Sequence, residues 1–138
     1  VGSNVIIGNT AVNQLRGGNG SDTLDGKMGN NVLTGGAGND IFKFTTIGHT
    51  DKITDFNVLD DTVQLENGVF TALTATGTLA VDQFKVGTQA ADNNDFIIYN
   101  NGTGELLYDA DANGVGAAQT IATVGVGLSM TNLDIVVI

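Results

Sequence analysis

The 138-residue sequence predicts an all-β protein: a short parallel β-roll over residues 1–44, capped by a β-rich, sandwich-like C-terminal region over residues 45–138. Three observations carry that expectation. Ten of the 20 glycines precede Asp40, and they recur at regular spacing. After Phe44 the glycine period stops, and short apolar runs of strand length alternate with turn residues. Hydrophobic residues make up 41% of the chain, enough for a core, while no apolar run approaches the roughly 18 residues of a helical membrane span.

The regular part reads in nines: GNTAVNQLR from Gly8, GGNGSDTLD from Gly17, GKMGNNVLT from Gly26 and GGAGNDIFK from Gly35, with a truncated VGSNVII before them. The eighth position is apolar in every copy, as Ile6, Leu15, Leu24, Leu33 and Phe42. The sixth is always Asn or Asp, as Asn4, Asn13, Asp22, Asn31 and Asp40. Six glycine-rich residues suit a turn that needs positive φ, and three more, such as Thr23-Leu24-Asp25, suit a strand with its middle side chain inward. One strand of three cannot bury itself, so the copies must stack, and the eighth positions then form a thin apolar column. Two nines make one coil, which places each turn over the turn eighteen residues away.

Charge says what the stack lacks. Fifteen acidic side chains face five basic ones, a net charge of −10. That balance excludes ordinary phosphate-backbone binding and nucleic-acid partners. Without cysteine there is no disulfide framework and no thiolate metal site. Stacked turns bring main-chain carbonyls and an Asp carboxylate from each toward a gap suited to a cation. Oxygen donors, flexible geometry and negative charge favour Ca²⁺.

The loops GGNGSD (17–22) and GGAGND (35–40) resemble those of the RTX, or repeats-in-toxin, calcium-binding family over residues 1–44. The other two depart from the pattern: Asn9 and Lys27 stand for the second glycine, Ala11 for the third, and Asn13 and Asn31 for the acid. Eighteen-residue stacking sorts these departures by face, with both intact loops on one side and both defective loops on the other. The expected strong site lies between Asp22 and Asp40, completed by carbonyls of Gly17, Gly18, Asn19, Gly20, Gly35, Gly36, Ala37 and Gly38. Neutral Asn and Lys27 predict a weak site or none across the roll, and Asn4 beneath Asp22 suggests a partial third. The segment Asp51-Lys-Ile-Thr-Asp55-Phe56, followed by Asp60-Asp61, resembles the stretch after the last repeat in secreted RTX proteases and mannuronan epimerases. The resemblance implies that Asp51 or Asp55 closes the final calcium turn.

In the cap, Lys52–Phe56, Thr62–Leu65, Leu79–Val86, Phe96–Tyr99, Glu105–Tyr108 and Ile135–Ile138 read as strands, with Asn100-Asn101-Gly102-Thr103-Gly104 as a hairpin turn. Ala117–Val124 fits a helical face or a strand, and its β-branched residues and flanking glycines favour the strand. The phenylalanines at 42, 44, 56 and 70 are expected to knit roll to cap, since repeat arrays need atypical ends. Asp109-Ala-Asp111-Ala-Asn113-Gly114 opens like an EF-hand loop, but Thr120 stands where the bidentate Glu belongs. The segment YDADANGVGAA resembles a stretch common near the C-termini of RTX exoproteins, where it joins strands.

His49 is the one histidine, so Ser-His-Asp, Cys-His and HExxH chemistries lack parts, and its Gly/Thr surroundings predict a solvated ring. No enzyme activity is expected. Val1-Gly2-Ser3 reads as the cut edge of a fragment whose upstream domain belongs to the same parent chain. The tail Asp134-Ile-Val-Val-Ile138 matches the acid-then-hydrophobic ending of type I secretion signals at 134–138. The resemblance thus implies a secreted, extracellular bacterial module that binds calcium ions, engages the type I secretion apparatus in transit and folds outside the cell. The alternative is a calcium-scaffolded adhesion or carbohydrate-binding module of the alginate R-module type, with an acidic polysaccharide met by Arg16, Lys27 and Lys43.

Overall fold

A computed structural model describes residues 2–138. Two sheets face each other across the main core, with a small second cluster at Ala90, Ile98 and Ala112, and, with two short 3-10 turns, contain all the regular structure of the described residues. The first sheet runs β1 (Val5–Ile7), β3 (Thr23–Asp25), β5 (Ile41–Phe44), β7 (Thr62–Leu65), β13 (Ile135–Val137) and β8 (Gly77–Thr78). The second runs β2 (Gln14–Asn19), β4 (Val32–Ala37), β6 (Asp51–Ile53), β12 (Gln119–Thr123), β11 (Glu105–Tyr108), β10 (Ile97–Asn100) and β9 (Phe84–Val86).

Odd strands of the repeat enter one sheet and even strands the other, which is the alternation that a nine-residue half-coil dictates. The parallel register pairs Ile6 with Leu24, Leu15 with Leu33 and Leu24 with Phe42, so equivalent residues stand one coil apart. The coil then continues beyond the glycine repeat: Leu33 pairs with Ile53 and Phe42 with Val63, still in parallel. Both sheets therefore pass position 44 without interruption. Leu24, Leu33, Phe42 and Val63 are fully buried, whereas Ile6 and Leu15 at the open end are only partly covered.

The expected cap strands form, with two local differences. The strand at 52–56 is shorter and begins earlier, at β6 (Asp51–Ile53). Leu79–Val86 is not one strand: β8 ends at Thr78, a 3-10 turn spans Val81–Gln83, and β9 starts at Phe84. Leu79 is buried while Val81 is 75% exposed, so the apolar run crosses from the core to the surface at the turn. The ambiguous segment 117–124 is a strand, β12, bonded in parallel to β6 and antiparallel to β11. The hairpin at 100–104 forms as expected, joining β10 to β11. The four phenylalanines are all buried. Phe42 and Phe56 lie 6.0 Å apart, and Phe70 meets Tyr108 edge-on at 5.1 Å.

The C-terminal strand is interior. β13 lies between β7 and β8, with Ile135 and Val137 buried. Thr131 and Asp134 form a reciprocal cap just before it, the Thr131 amide donating to Asp134 Oδ2 at 2.7 Å.

Candidate metal centre

The sixth residue of each nonapeptide sits two positions before an inward apolar side chain, so its carbonyl-bearing loop and its own side chain share one edge of the roll. Along one edge Asp22 Oδ1 accepts from the Asn4 amide (2.7 Å), Asp40 Oδ1 from the Asp22 amide (2.8 Å) and Asp61 Oδ1 from the Asp40 amide (3.0 Å). Along the other, Asn31 Oδ1 accepts from the Asn13 amide (2.8 Å) and Asp51 Oδ1 from the Asn31 amide (2.9 Å). The sixth residue of one coil thus ties down the coil before it on both edges.

The structure brings the two intact loops together. Gly18 pairs with Gly36 and Asn19 with Ala37, so β2 and β4 run on into their glycine loops instead of stopping at the turn. Gly36 shows why the residue type matters: its φ is +108°, and a Cβ there would run into the Gly18 carbonyl of the coil below. A Cβ on Gly17 would strike both Asp22 Oδ2 and the Gly35 carbonyl, and one on Gly35 would strike Asp40 Oδ2. The glycines keep a space open beside each carboxylate.

Those carboxylates are incompletely satisfied. Asp22 and Asp40 are each 1% exposed, and the Oδ2 of each is buried with no hydrogen-bond partner. A buried polar atom without a partner typically costs about 1–3 kcal/mol, more when charged. Burial pushes the Asp40 carboxyl up from its ordinary value, against the Asp22 amide that lowers it, and the charges of Asp22 and Asp55 add to the rise. Asp61 is likewise raised, first by burial and then by Asp40 and Asp55. Two inward carboxylate oxygens with carbonyls beside them, and no cation side chain, are a donor set for a hard divalent ion. Among the described residues no third His, Cys, Asp or Glu completes a side-chain cluster, so the remaining donors must be main-chain carbonyls and water.

Asp51 and Asp55 are separated by the fold. Asp51 lies on the Asn edge, where its Oδ1 accepts from Asn31 Nδ2 (3.0 Å) and stands 3.3 Å from His49 Nδ1. Burial raises its carboxyl, while the Asn31 amide and His49 oppose the rise. Asp55 lies over the intact edge, its two oxygens accepting from the Gly35 (2.9 Å) and Gly36 (2.8 Å) amides. Asn4 stands beneath Asp22 as expected, but its side-chain amide is best oriented with nitrogen toward Asp22 Oδ1, as a donor.

His49 corrects the expectation of a solvated ring. Its side chain is 6% exposed, held by Thr46 Oγ1 at 2.7 Å and facing Asp51. Asp61 is the residue whose place was not foreseen as a partner of Asp40. The signal was present, since Asp51-Lys-Ile53 and Asp61-Thr-Val63 keep the acid-x-apolar spacing of Asp22-Thr-Leu24 after the glycines are gone. The three cations of the polysaccharide alternative are dispersed: Arg16 is on β2, Lys43 on β5, and Lys27 is bound to Asp25 at 2.9 Å on the Asn edge.

Residues 1–33 and 16–43 match the family model of the RTX calcium-binding nonapeptide repeat, with four copies. No curated protein is similar enough to the chain to match it.

Proposed function

Residues 1–43 are RTX calcium-binding nonapeptide repeats, and from that premise we propose that the chain is a folding and export module of a larger bacterial exoprotein, completed by calcium outside the cell. The observation that carries this reading is the pair of buried, unpartnered oxygens, Asp22 Oδ2 and Asp40 Oδ2, on the edge where both glycine loops are intact.

Asp22 and Asp40 would hold the ion, with carbonyls drawn from Gly17, Gly18, Asn19, Gly20, Gly35, Gly36, Ala37 and Gly38. Asp55 and Asp61 close the cap end of the same edge, while Asp51 serves the opposite edge as a partner of Asn31 and His49. Calcium supplies the positive charge that these oxygens lack and accepts the irregular oxygen geometry of a glycine loop. Where calcium is scarce, Asp22 and Asp55 repel Asp40, Asp40 and Asp55 repel Asp61, and ordering ten glycines before Asp40 costs conformational entropy. The loops then stay open and the chain remains threadable. In the calcium-rich exterior, binding free energy becomes folding free energy.

The tail fits the same order of events. Ile135 and Val137 are buried between β7 and β8, so an export signal at 134–138 is readable only before the sheet closes. The test is circular dichroism in excess chelator, followed by calcium to about 10 mM, the range of weak extracellular sites. The expected result is a coil-like spectrum that turns β-rich on titration. A β-rich spectrum in chelator that calcium leaves unchanged overturns the proposal.

A further inference from the structure

Among the described residues three buried side-chain oxygens lack any hydrogen-bond partner: Asp22 Oδ2, Asp40 Oδ2 and Asp109 Oδ1. The first two belong to the roll. The third lies outside it, in the connection from β11 to β12, and Asp109 is 5% exposed.

We propose that the loop from Asp109 to Gly116 is a second calcium site, separate from the roll, in which the Asp109 and Asp111 carboxylates supply the charged donors.

Four features of the loop support a built site. The Asp109 and Asp111 side chains are neighbours: burial and then Asp111 push the Asp109 carboxyl up from its ordinary value, while the Gly116 amide and then Asp109 hold Asp111 below its own. Asp111 is held in that place: its Oδ2 accepts from the Gly116 amide at 2.9 Å, and a Cβ on Gly114 or Gly116 would collide with it. The chain makes this approach through Ala112, which is buried and left-handed at φ +53°, a conformation that a non-glycine residue seldom adopts. Finally, Asp109 and Asn113 line a cavity of about 600 Å³ together with Thr88 and Gln89, so other oxygen donors border the same space.

The loop is also braced from the neighbouring connection, with the Asn113 amide donating to the Asp92 carbonyl at 3.2 Å. It is not an EF-hand. The left-handed residue is Ala112 rather than Gly114, and Thr120 lies in β12 with its hydroxyl on Glu105. No third acid or histidine joins the pair among the described residues, which leaves Asn113, carbonyls and water to complete an all-oxygen shell. A hard cation with relaxed geometry suits that set, and Ca²⁺ suits it better than Mg²⁺, whose octahedron is strict. The competing account of two adjacent carboxylates is a shared proton.

The experiment uses the full chain and calcium chloride as the probe. Amide ¹H–¹⁵N shifts are followed during titration, and isothermal calorimetry counts the ions. Asp111 is exposed, so Asp111→Asn should leave the fold intact. The expected result is that Gly114 and Gly116 amides move with calcium in the parent chain, that Asp111→Asn abolishes those shifts, and that the ion count falls by one while the amides of residues 17–20 and 35–38 still respond. If residues 114 and 116 respond but the roll does not, the loop site stands and the reading of the roll fails. An unchanged ion count in Asp111→Asn overturns the proposal. So does a response of Gly114 and Gly116 to acid in chelator but not to calcium, which is the signature of the shared proton.

Discussion

The two edges of the roll are made from the same nonapeptide, and they differ at the sixth residue in a way that changes what fills the loop. On the Asn edge, Asn31 Nδ2 donates to the carbonyls of Lys27 (3.5 Å), Met28 (3.4 Å) and Gly29 (2.9 Å), and to Asp51 Oδ1 (3.0 Å). Lys27, Met28 and Gly29 occupy the repeat positions of Gly18, Asn19 and Gly20 on the other edge. A neutral amide nitrogen therefore gathers the carbonyls whose counterparts on the intact edge have no such side-chain donor. Asn13 makes the same kind of closure, its Nδ2 donating to Asn9 Oδ1 at 3.2 Å and its Oδ1 accepting from the Asn9 amide at 2.8 Å.

The second loop position follows suit. Gly18 and Gly36 stand at φ +107° and +108°, which a side chain rarely adopts, while Lys27 stands at +60°, inside the left-handed well. Its ammonium then serves Asp25 and Thr45 Oγ1, each at 2.9 Å, instead of leaving the loop open. On the proposed reading, an amide in place of the acid at the sixth position, together with Lys27 at the second, gives a self-satisfied loop where the Asp edge would take an ion.

The largest expected effect comes from imposing the Asn solution on the Asp edge. Asp22→Asn with Asp40→Asn removes both unpartnered charges and adds donors where a cation belongs. Calcium affinity of the roll should fall by about 100-fold or more, because ligand charge sets affinity over decades. Chelator should then no longer unfold the chain selectively, which calorimetry and urea melts with and without calcium would show.

The reciprocal change, Asn31→Asp, removes the donor that closes the 26–31 loop and sets a new carboxylate against Asp51. In chelator it should cost about 1–3 kcal/mol, as for a buried group left unpaired. Calcium should restore part of the loss. If the urea midpoint in chelator is unchanged, the amide is not what closes that loop.

Gly36→Ala tests the backbone part of the comparison. The φ of +108° alone makes the variant strained, by roughly 1–3 kcal/mol, and the added methyl meets the Gly18 carbonyl. Gly48→Ala serves as the control, since its φ is also positive, +94°, but no neighbour lies within reach of the new methyl. It should lose less stability in the same urea series.

The smallest effect concerns a buried acid away from both edges. Burial raises the Asp134 carboxyl, partly offset by the Thr131 amide. The folded state consequently holds that proton more tightly than the unfolded chain, so the contribution of Asp134 to stability is full at low pH. It is lost as pH rises from the unfolded carboxylate range, about 3.9, through the raised folded value. Asp134→Asn keeps an acceptor for the cap and should gain on the parent chain across that window, by less than about 1 kcal/mol. Urea melts at stepped pH would reveal the difference in slope.

How much of this was legible in the sequence follows from which physical signal each feature leaves. The apolar column from Ile6 to Phe42 and the pairing of the intact loops were legible because a fixed period leaves little freedom in register. The onward coil was harder to read. Its spacing lengthens to twenty residues at Leu33–Ile53 and twenty-one at Phe42–Val63, so a strict period loses it even though Asp51 and Asp61 keep their distance from Ile53 and Val63. His49 was misread because local glycine and threonine describe a loop, whereas its burial comes from Thr46 and Asp51 in a folded turn. The Asn31 closure was out of reach for a related reason. Composition shows that an acid is missing, but only the packed loop shows that the amide nitrogen bonds the loop carbonyls.

On the proposed reading, calcium completes one edge of the roll and not the other. The most direct measurement is a residue-resolved amide titration of the full chain with calcium, starting from excess chelator. Asp22, Asp40 and the amides of residues 17–20 and 35–38 should show saturable binding, while Asn31, Gly29 and the 8–13 loop should report folding without contacts to an ion, even at saturation. Equal, independent saturation of both edges would contradict the account, as would a roll whose Asp edge is ordered in chelator and indifferent to calcium.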